Sequence, residues 1–287
     1  MLKSEFLPPF LYRKLVNLKA FVQNYKFNKL IIDNDKYRGI HRNHNCYILG
    51  SGPSIKKQDL KILKNQIVIS LNNFFVHPDY NEIVANGVSN YHVIAPTHEP
   101  QTEKEWVLWL TEMELKVPIN VKLIFGLNSY PCNVQFLVDK YSFFQQHEII
   151  WYCSPLLFDE TLGSSNNIDI ASNVFGAEAV SVYALIVSIY MGFDNIYLLG
   201  MDHDYFLHSD ESKMRMYSNA DHQNNEFERT FGKRFYTLEL HRQYKIFCKY
   251  EFLKSISKSK IYNATEGGIL KVFPLVKLID TLNEKGG

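Results

Sequence analysis

Seven short, continuous apolar runs constrain this chain more than any other feature. They are Tyr47–Leu49, Ile67–Leu71, Tyr91–Ala95, Val121–Phe125, Ile149–Tyr152, Asn195–Gly200 and Lys260–Asn263. Most stop at a turn residue: Gly50, Asn72, Pro96, Gly126, or the stretch Met201-Asp202-His203-Asp204-Tyr205. A strand with one wet face alternates apolar and polar residues, so continuous runs predict a parallel sheet covered on both faces. Ala177–Met191 is long and nearly uncharged, which predicts a buried helix closed by Gly192. The expected class is α/β, a mostly parallel sheet with helices on both faces. In such sheets ligands bind outside the carboxyl ends of the strands.

With 287 residues, 46% of them hydrophobic, the chain can bury a large core. Its net charge of +1 argues against a nucleic-acid partner. Residues 1–44 are basic, with nine Lys/Arg against three Asp/Glu, and are read as an N-terminal extension to a domain over 45–287. Within them Phe10, Leu11, Leu15, Leu18, Phe21 and Val22 recur at helical spacing between basic residues. That helix either packs on the domain or rests on anionic lipid. Four scattered cysteines suit a reducing cytosol, and neither a spanning helix nor a signal peptide is expected.

Three polar stretches carry candidate chemistry. Gly50-Ser51-Gly52-Pro53-Ser54 follows a strand and opens what reads as a helix, a place where backbone N–H groups favour phosphate. Ser54 could equally cap that helix. Asp202 and Asp204, at a strand end, could hold Mg²⁺ or Mn²⁺ against a diphosphate, or simply serve the turn. Residues 205–244 are polar and rich in Tyr, His and Asn, which reads as a lid or as a solvated helical insert.

The segments "YILGSGPSIKK", "ISLNNFF", "VSVYALIVSIYMGFDNIYLLGMDHDY" and "NATEGGILKVFP" occur in this order. The set resembles bacterial sialyltransferases that build lipooligosaccharide outer cores. It also resembles the related domains of flagellin motility accessory factors and of 6-hydroxymethylpterin pyrophosphokinases. The similarity covers about residues 45–275. It implies a Rossmann-like transferase using CMP-sialic acid or a similar CMP-nonulosonate. It implies nucleotide contacts at Gly50, Ser51, Gly52, Ser54, Asn72 and Asp202. Ser181 matches the family's hydroxyl motif for the sugar carboxylate, and Thr97 stands near the place of a family Asn that this chain lacks. Tyr205 and Tyr217 would meet the departing phosphate. The base would be His222, with His208 in reserve, both in a lid over roughly 205–244.

The implied reaction is an inverting single displacement through an oxocarbenium-like transition state. Phosphate charge would be met by fixed donors, and a neutral His would take the acceptor's proton. No metal is obligatory for a monophosphate leaving group. The expected acceptor is a lipid-linked or lipopolysaccharide glycan at the cytoplasmic face of the inner membrane, and homo-oligomers occur among such enzymes. Three rivals stand: a diphosphate-sugar transferase with Mg²⁺ or Mn²⁺ at Asp202 and Asp204, a pyrophosphokinase-like phosphotransferase, and a non-catalytic binding module.

Overall fold

The computed structural model describes residues 8, 10–12, 14, 15, 18, 22, 25–85, 87–156, 167–208, 214–217 and 236–282. Eight strands form one sheet: β1 Asn45–Leu49, β2 Ile67–Leu71, β3 Tyr91–Ile94, β4 Lys122–Leu127, β5 Ile149–Leu156, β6 Asn173–Phe175, β7 Asn195–Leu199 and β8 Lys260–Asn263. Their order is β6-β5-β4-β3-β2-β1-β7-β8, and every pairing is parallel. The chain runs outward from β1 to β6, then returns to the other side of β1 for β7 and β8. The β1/β7 boundary is therefore the topological switch point, where α/β sheets open a crevice.

Successive strand residues face opposite cores. Tyr47, Leu49, Tyr197 and Leu199 join one cluster, whereas Cys46, Ile48, Ile196 and Leu198 join the other. Helices α2 (Tyr80–Val84), α3 (Glu103–Lys116) and α4 (Val134–Tyr141) cover the first face, together with the short α1 (Asn28–Ile31) and α7 (Leu278–Thr281). Helices α5 (Val180–Met191) and α6 (Tyr236–Ile256) cover the second. Burial on both faces is why the strands lack alternation. The tyrosine content has a structural use as well: Tyr47, Tyr197 and Tyr262 stack in register across β1, β7 and β8, with centroids 5.0 and 5.4 Å apart.

Each predicted strand is present, shifted by a few residues at some ends. The predicted buried helix is α5, with Gly192 in the left-handed region at φ 80°. Three features differ from expectation. The short β6 had no clear apolar run. The end of the polar stretch, 236–244, forms the first turns of α6, helical as one of the two readings has it, but with Glu239 and Gln243 buried rather than solvated. The residues 25–44 are built into the domain rather than appended to it. Phe27 and Ile31 are buried. Asn34 Nδ2 donates to the carbonyls of Trp151 (2.6 Å) and Ile170 (2.8 Å), and Tyr190 donates to the Asn34 carbonyl. Among the described residues of 10–22, all are helical, and no helix of the described chain is long and apolar enough to cross a membrane.

Asn34→Ala leaves two carbonyls without their donor in a site that is 3% exposed. The expected loss is about 1–3 kcal/mol of stability, read as a lower urea midpoint at unchanged slope.

Candidate functional site

A cleft of about 380 Å³ opens at the carboxyl ends of β1, β2, β3 and β7. Its floor is made by the β1 and β7 turns, which press together. Gly50 N donates to the Leu199 carbonyl and Gly52 N to the Gly200 carbonyl. A Cβ on Gly52 would stand 1.9 Å from Asp202 Oδ2 and 2.6 Å from the Gly200 carbonyl, so only glycine permits this approach. The β1 turn continues into a five-residue 3₁₀ turn, Pro53–Lys57, not an α-helix. Ser54 does not cap it: its hydroxyl donates to Asp202 Oδ2 (2.8 Å) and its amide to Asp202 Oδ1 (3.2 Å). The expected cradle of free amides is thus narrowed, because Gly50, Gly52 and Ser54 all donate within the protein and Pro53 has no N–H. Among the described residues, Ser51 is the amide of this turn without a partner.

The β7 turn is clamped from behind by the β8 turn. Thr265 Oγ1 accepts from Met201 N at 3.1 Å, and Ile269 N donates to the Asp202 carbonyl at 2.8 Å. Gly268 (φ 68°) lies so close that a Cβ would meet the Asp202 carbonyl oxygen at 2.2 Å. The "NATEGG" segment therefore positions Asp202, His203 and Asp204. Burial raises the Asp202 carboxyl's pKa above its usual value, and the Ser54 hydrogen bonds oppose that shift.

Asn72 contributes from the end of β2 with φ 43°. Its Oδ1 accepts from Ala95 N (3.3 Å), and its carbonyl faces Nε2 of the fully buried His92 (2.8 Å). A carbonyl only accepts, so His92 carries its proton on Nε2. Asn73 accepts from Trp109 Nε1 (2.5 Å) and donates to the Tyr217 hydroxyl (3.0 Å). A Thr102–Glu105 capping box starts α3, which brings Trp106 and Trp109 to the rim one helical turn apart. Trp106 Nε1, Gln101 Oε1 and Asp204 Oδ1 are buried without a partner among the described residues, and all three residues line the cleft.

The opposite wall is α6 packed against the start of α5. Tyr205 donates to Glu239 Oε2 (2.5 Å) and accepts from Gln243 Nε2 (3.1 Å). His203, at φ 57°, places Nδ1 at 3.2 Å from Gln243 Oε1 and Nε2 at 2.9 Å from the Tyr250 hydroxyl. Tyr250 in turn meets Ser181 Oγ at 2.5 Å. Arg242 donates to the Glu178 carbonyl (2.8 Å), Glu178 pairs with Lys249, and the Arg215 guanidinium lies 5.8 Å from the Tyr205 ring centroid. Burial, with smaller contributions from both arginines, lowers the His203 pKa to about 4.

Of the residues expected at the site, Gly50, Ser51, Gly52, Asn72, Ser181, Asp202, Asp204, Tyr205 and Tyr217 meet in this cleft. Three do not line it. Ser54 lies behind the floor. Thr97 is fully buried and donates to the Cys132 carbonyl (2.8 Å), so it offers nothing to a sugar. His208 turns to Asp204, at 3.3 Å from its Oδ2. His222 lies outside the described residues, as do 209–213 and 218–235 of the expected lid. Among the described residues, no group of three or more His, Cys, Asp or Glu could hold a metal ion. Sequence reasoning missed His203, Arg215, Gln243 and Arg242, together with Trp106 and Trp109. The tryptophans' spacing of three residues on a helix was the available signal for them.

No protein-family model matches this sequence, and no curated protein matches it. Among solved structures the chain is similar to the sialyltransferase CstII from Campylobacter jejuni, in complex with a substrate analogue, cytidine-5'-monophosphate. The identity is 16%, the TM-score 0.41, and the match covers 82% of this chain and 85% of that one. No site residue is assigned from that likeness.

Three histidines are held neutral: buried His41 and half-buried His203 with pKa lowered to about 4, and fully buried His92 to about 3, each mainly by desolvation. An unfolded His titrates near 6.5. Below that pH the unfolded chain takes up protons that the folded chain refuses. The resulting stability is therefore complete above about 6.5 and falls as pH drops towards the folded values, by about 1.4 kcal/mol per pH unit for each histidine. Urea midpoints between pH 7 and 4.5 should show this, and His92→Gln should lower the slope by one proton.

Proposed function

We propose that the chain is a glycosyltransferase that moves a nonulosonic acid residue from a CMP-sugar to a bacterial surface glycan. What supports this is one convergence. Residues from the turn after β1, the turn after β2, the start of α5, the turn after β7 and segment 214–217 meet in one cleft at the switch point. All but segment 214–217 belong to the ordered sequence motifs.

In this reading the nucleotide lies over Gly50–Gly52 and Asn72. Arg215 and Arg242 supply positive charge beside the departing phosphate, and Tyr217 supplies a hydroxyl. The Tyr205 proton is directed to Glu239, so Tyr205 serves the phosphate only if that bond is exchanged. His222 is assigned as the base, with His208 the reserve. A lipid-linked or lipopolysaccharide acceptor at the inner face of the membrane suits the N-terminal helix. Its described apolar residues Phe10, Leu18 and Val22 are 58%, 59% and 64% exposed beside Lys14.

A second reading, a metal-dependent transferase of diphosphate sugars, draws on one observation. Asp204 Oδ1 is buried without a partner among the described residues, and only His203 separates Asp204 from Asp202 in the sequence. Mg²⁺ or Mn²⁺ there would bridge a diphosphate.

A thermal-shift panel of CMP, CDP, UDP, GDP and ATP, each with and without Mn²⁺, separates the two. CMP at about 100 times its Kd should add roughly 2.7 kcal/mol without metal. A response to UDP or GDP only with Mn²⁺ would favour the second reading, and silence across the panel would remove both. Tyr217→Phe should lower kcat by about 10²-fold, the scale of losing one oxyanion donor, at nearly unchanged Tm.

A further inference from the structure

Six side chains on the cleft wall form one continuous hydrogen-bonded chain: Glu239, Tyr205, Gln243, His203, Tyr250 and Ser181. Its direction follows from one end. An ionised carboxylate only accepts, so Tyr205 gives its proton to Glu239. The Tyr205 oxygen then accepts, and Gln243 must present Nε2 to it. That turns Gln243 Oε1 towards His203, whose Nδ1 must carry hydrogen. A neutral imidazole with hydrogen on Nδ1 has a bare Nε2, which accepts from Tyr250. Tyr250 has then used its proton, so its oxygen accepts from Ser181.

We propose that Ser181 is a specificity residue that faces the cleft as an acceptor, and that an anionic ligand group is admitted there only with uptake of one proton at His203. In the resting chain, Ser181 offers lone pairs alone and matches a ligand hydroxyl or N–H. A carboxylate needs the opposite polarity. A proton from solvent on His203 Nε2 supplies it: His203 then donates to Tyr250, Tyr250 to Ser181, and Ser181 to the carboxylate. No heavy atom has to move. The charges that act on His203 are the cations Arg215 and Arg242. Asp202, Asp204 and Glu178 line the same cleft, Lys249 pairs with Glu178, and Glu239 closes the far end of the hydrogen-bonded chain. The Phe247 ring stands edge-on to the imidazole at 5.7 Å between centroids. The two arginines oppose protonation, so the proton is taken up together with the anion and not before it.

The inference deepens the transferase reading and rests on it for the identity of the anion, but the direction of the chain is testable alone. Nitrogen NMR of the ligand-free protein at pH 7.5 should find His203 protonated on Nδ1 and bare on Nε2. The reverse tautomer would overturn the proposal whatever the protein binds. Calorimetric titration in buffers of different ionisation enthalpy then counts protons. CMP-N-acetylneuraminate should take up one proton more than CMP, and its Kd should rise about tenfold per pH unit between pH 7 and 8.5. Tyr250→Phe cuts the chain, so that slope should vanish while the sugar nucleotide still binds. His203→Gln should bind it more weakly and without the extra proton. Binding with no extra proton in the wild type, yet weakened in Ser181→Ala, would refute proton-linked admission. If neither nucleotide binds, the transferase reading falls, and the imidazole nitrogens still decide the polarity of Ser181.

Discussion

The carboxylate of Asp202 is the joint on which the cleft depends. It receives the Ser54 hydroxyl and amide from the β1 turn, while its own carbonyl receives Ile269 N from the β8 turn. Three loops from three adjacent strands are thereby tied at one residue. Burying a carboxylate is unfavourable unless its oxygens are hydrogen-bonded, and here both oxygens are. Glycines at 50, 52, 200 and 268 let the backbones close around it without a Cβ in the way. The reward is geometric. Asp202 immediately precedes His203, whose left-handed backbone aims the imidazole at α6, and Tyr205 follows two residues on. Loops carry most of the candidate site, and this loop is tied by hydrogen bonds to the turns on both sides of it.

The sheet was legible because burial on both faces leaves a simple trace, a continuous apolar run that stops where the chain meets solvent or a ligand. Residues next to those stops, such as Gly50, Asn72 and Asp202, could be named for the same reason. What could not be read came from elsewhere. Segment 25–44 looked like an extension because its basic residues hide Phe27, Ile31 and Asn34, whose partners lie more than a hundred positions away. Helix α6 was obscured for a related reason. Its buried stripe runs Glu239, Gln243, Ile246, Tyr250, Leu253, at regular helical spacing, but the first two members are polar. An apolar periodicity search starts only at Ile246. Thr97 and Ser54 show the converse. Each is a hydroxyl in a ligand-like position in the sequence, and each is used internally, because a buried hydroxyl must find a partner and a nearby protein group was available.

The polar start of that stripe explains how one helix serves both core and cleft. The half of α6 from Ile246 to Leu253 packs against the sheet's second face and fixes the helix in place. The half before it cannot pack in that way, so it carries groups that bond to one another and to the turn after β7. A buried polar network is tolerable only when every member is satisfied. Here satisfaction runs in one direction from Glu239 to Ser181, since each hydroxyl has a single proton to give. The wall of the cleft therefore has a sense as well as a shape. Its donors and acceptors at one end are set by a carboxylate five hydrogen bonds away, and a ligand that reverses the sense at Ser181 must supply or recruit the proton that reverses it at His203.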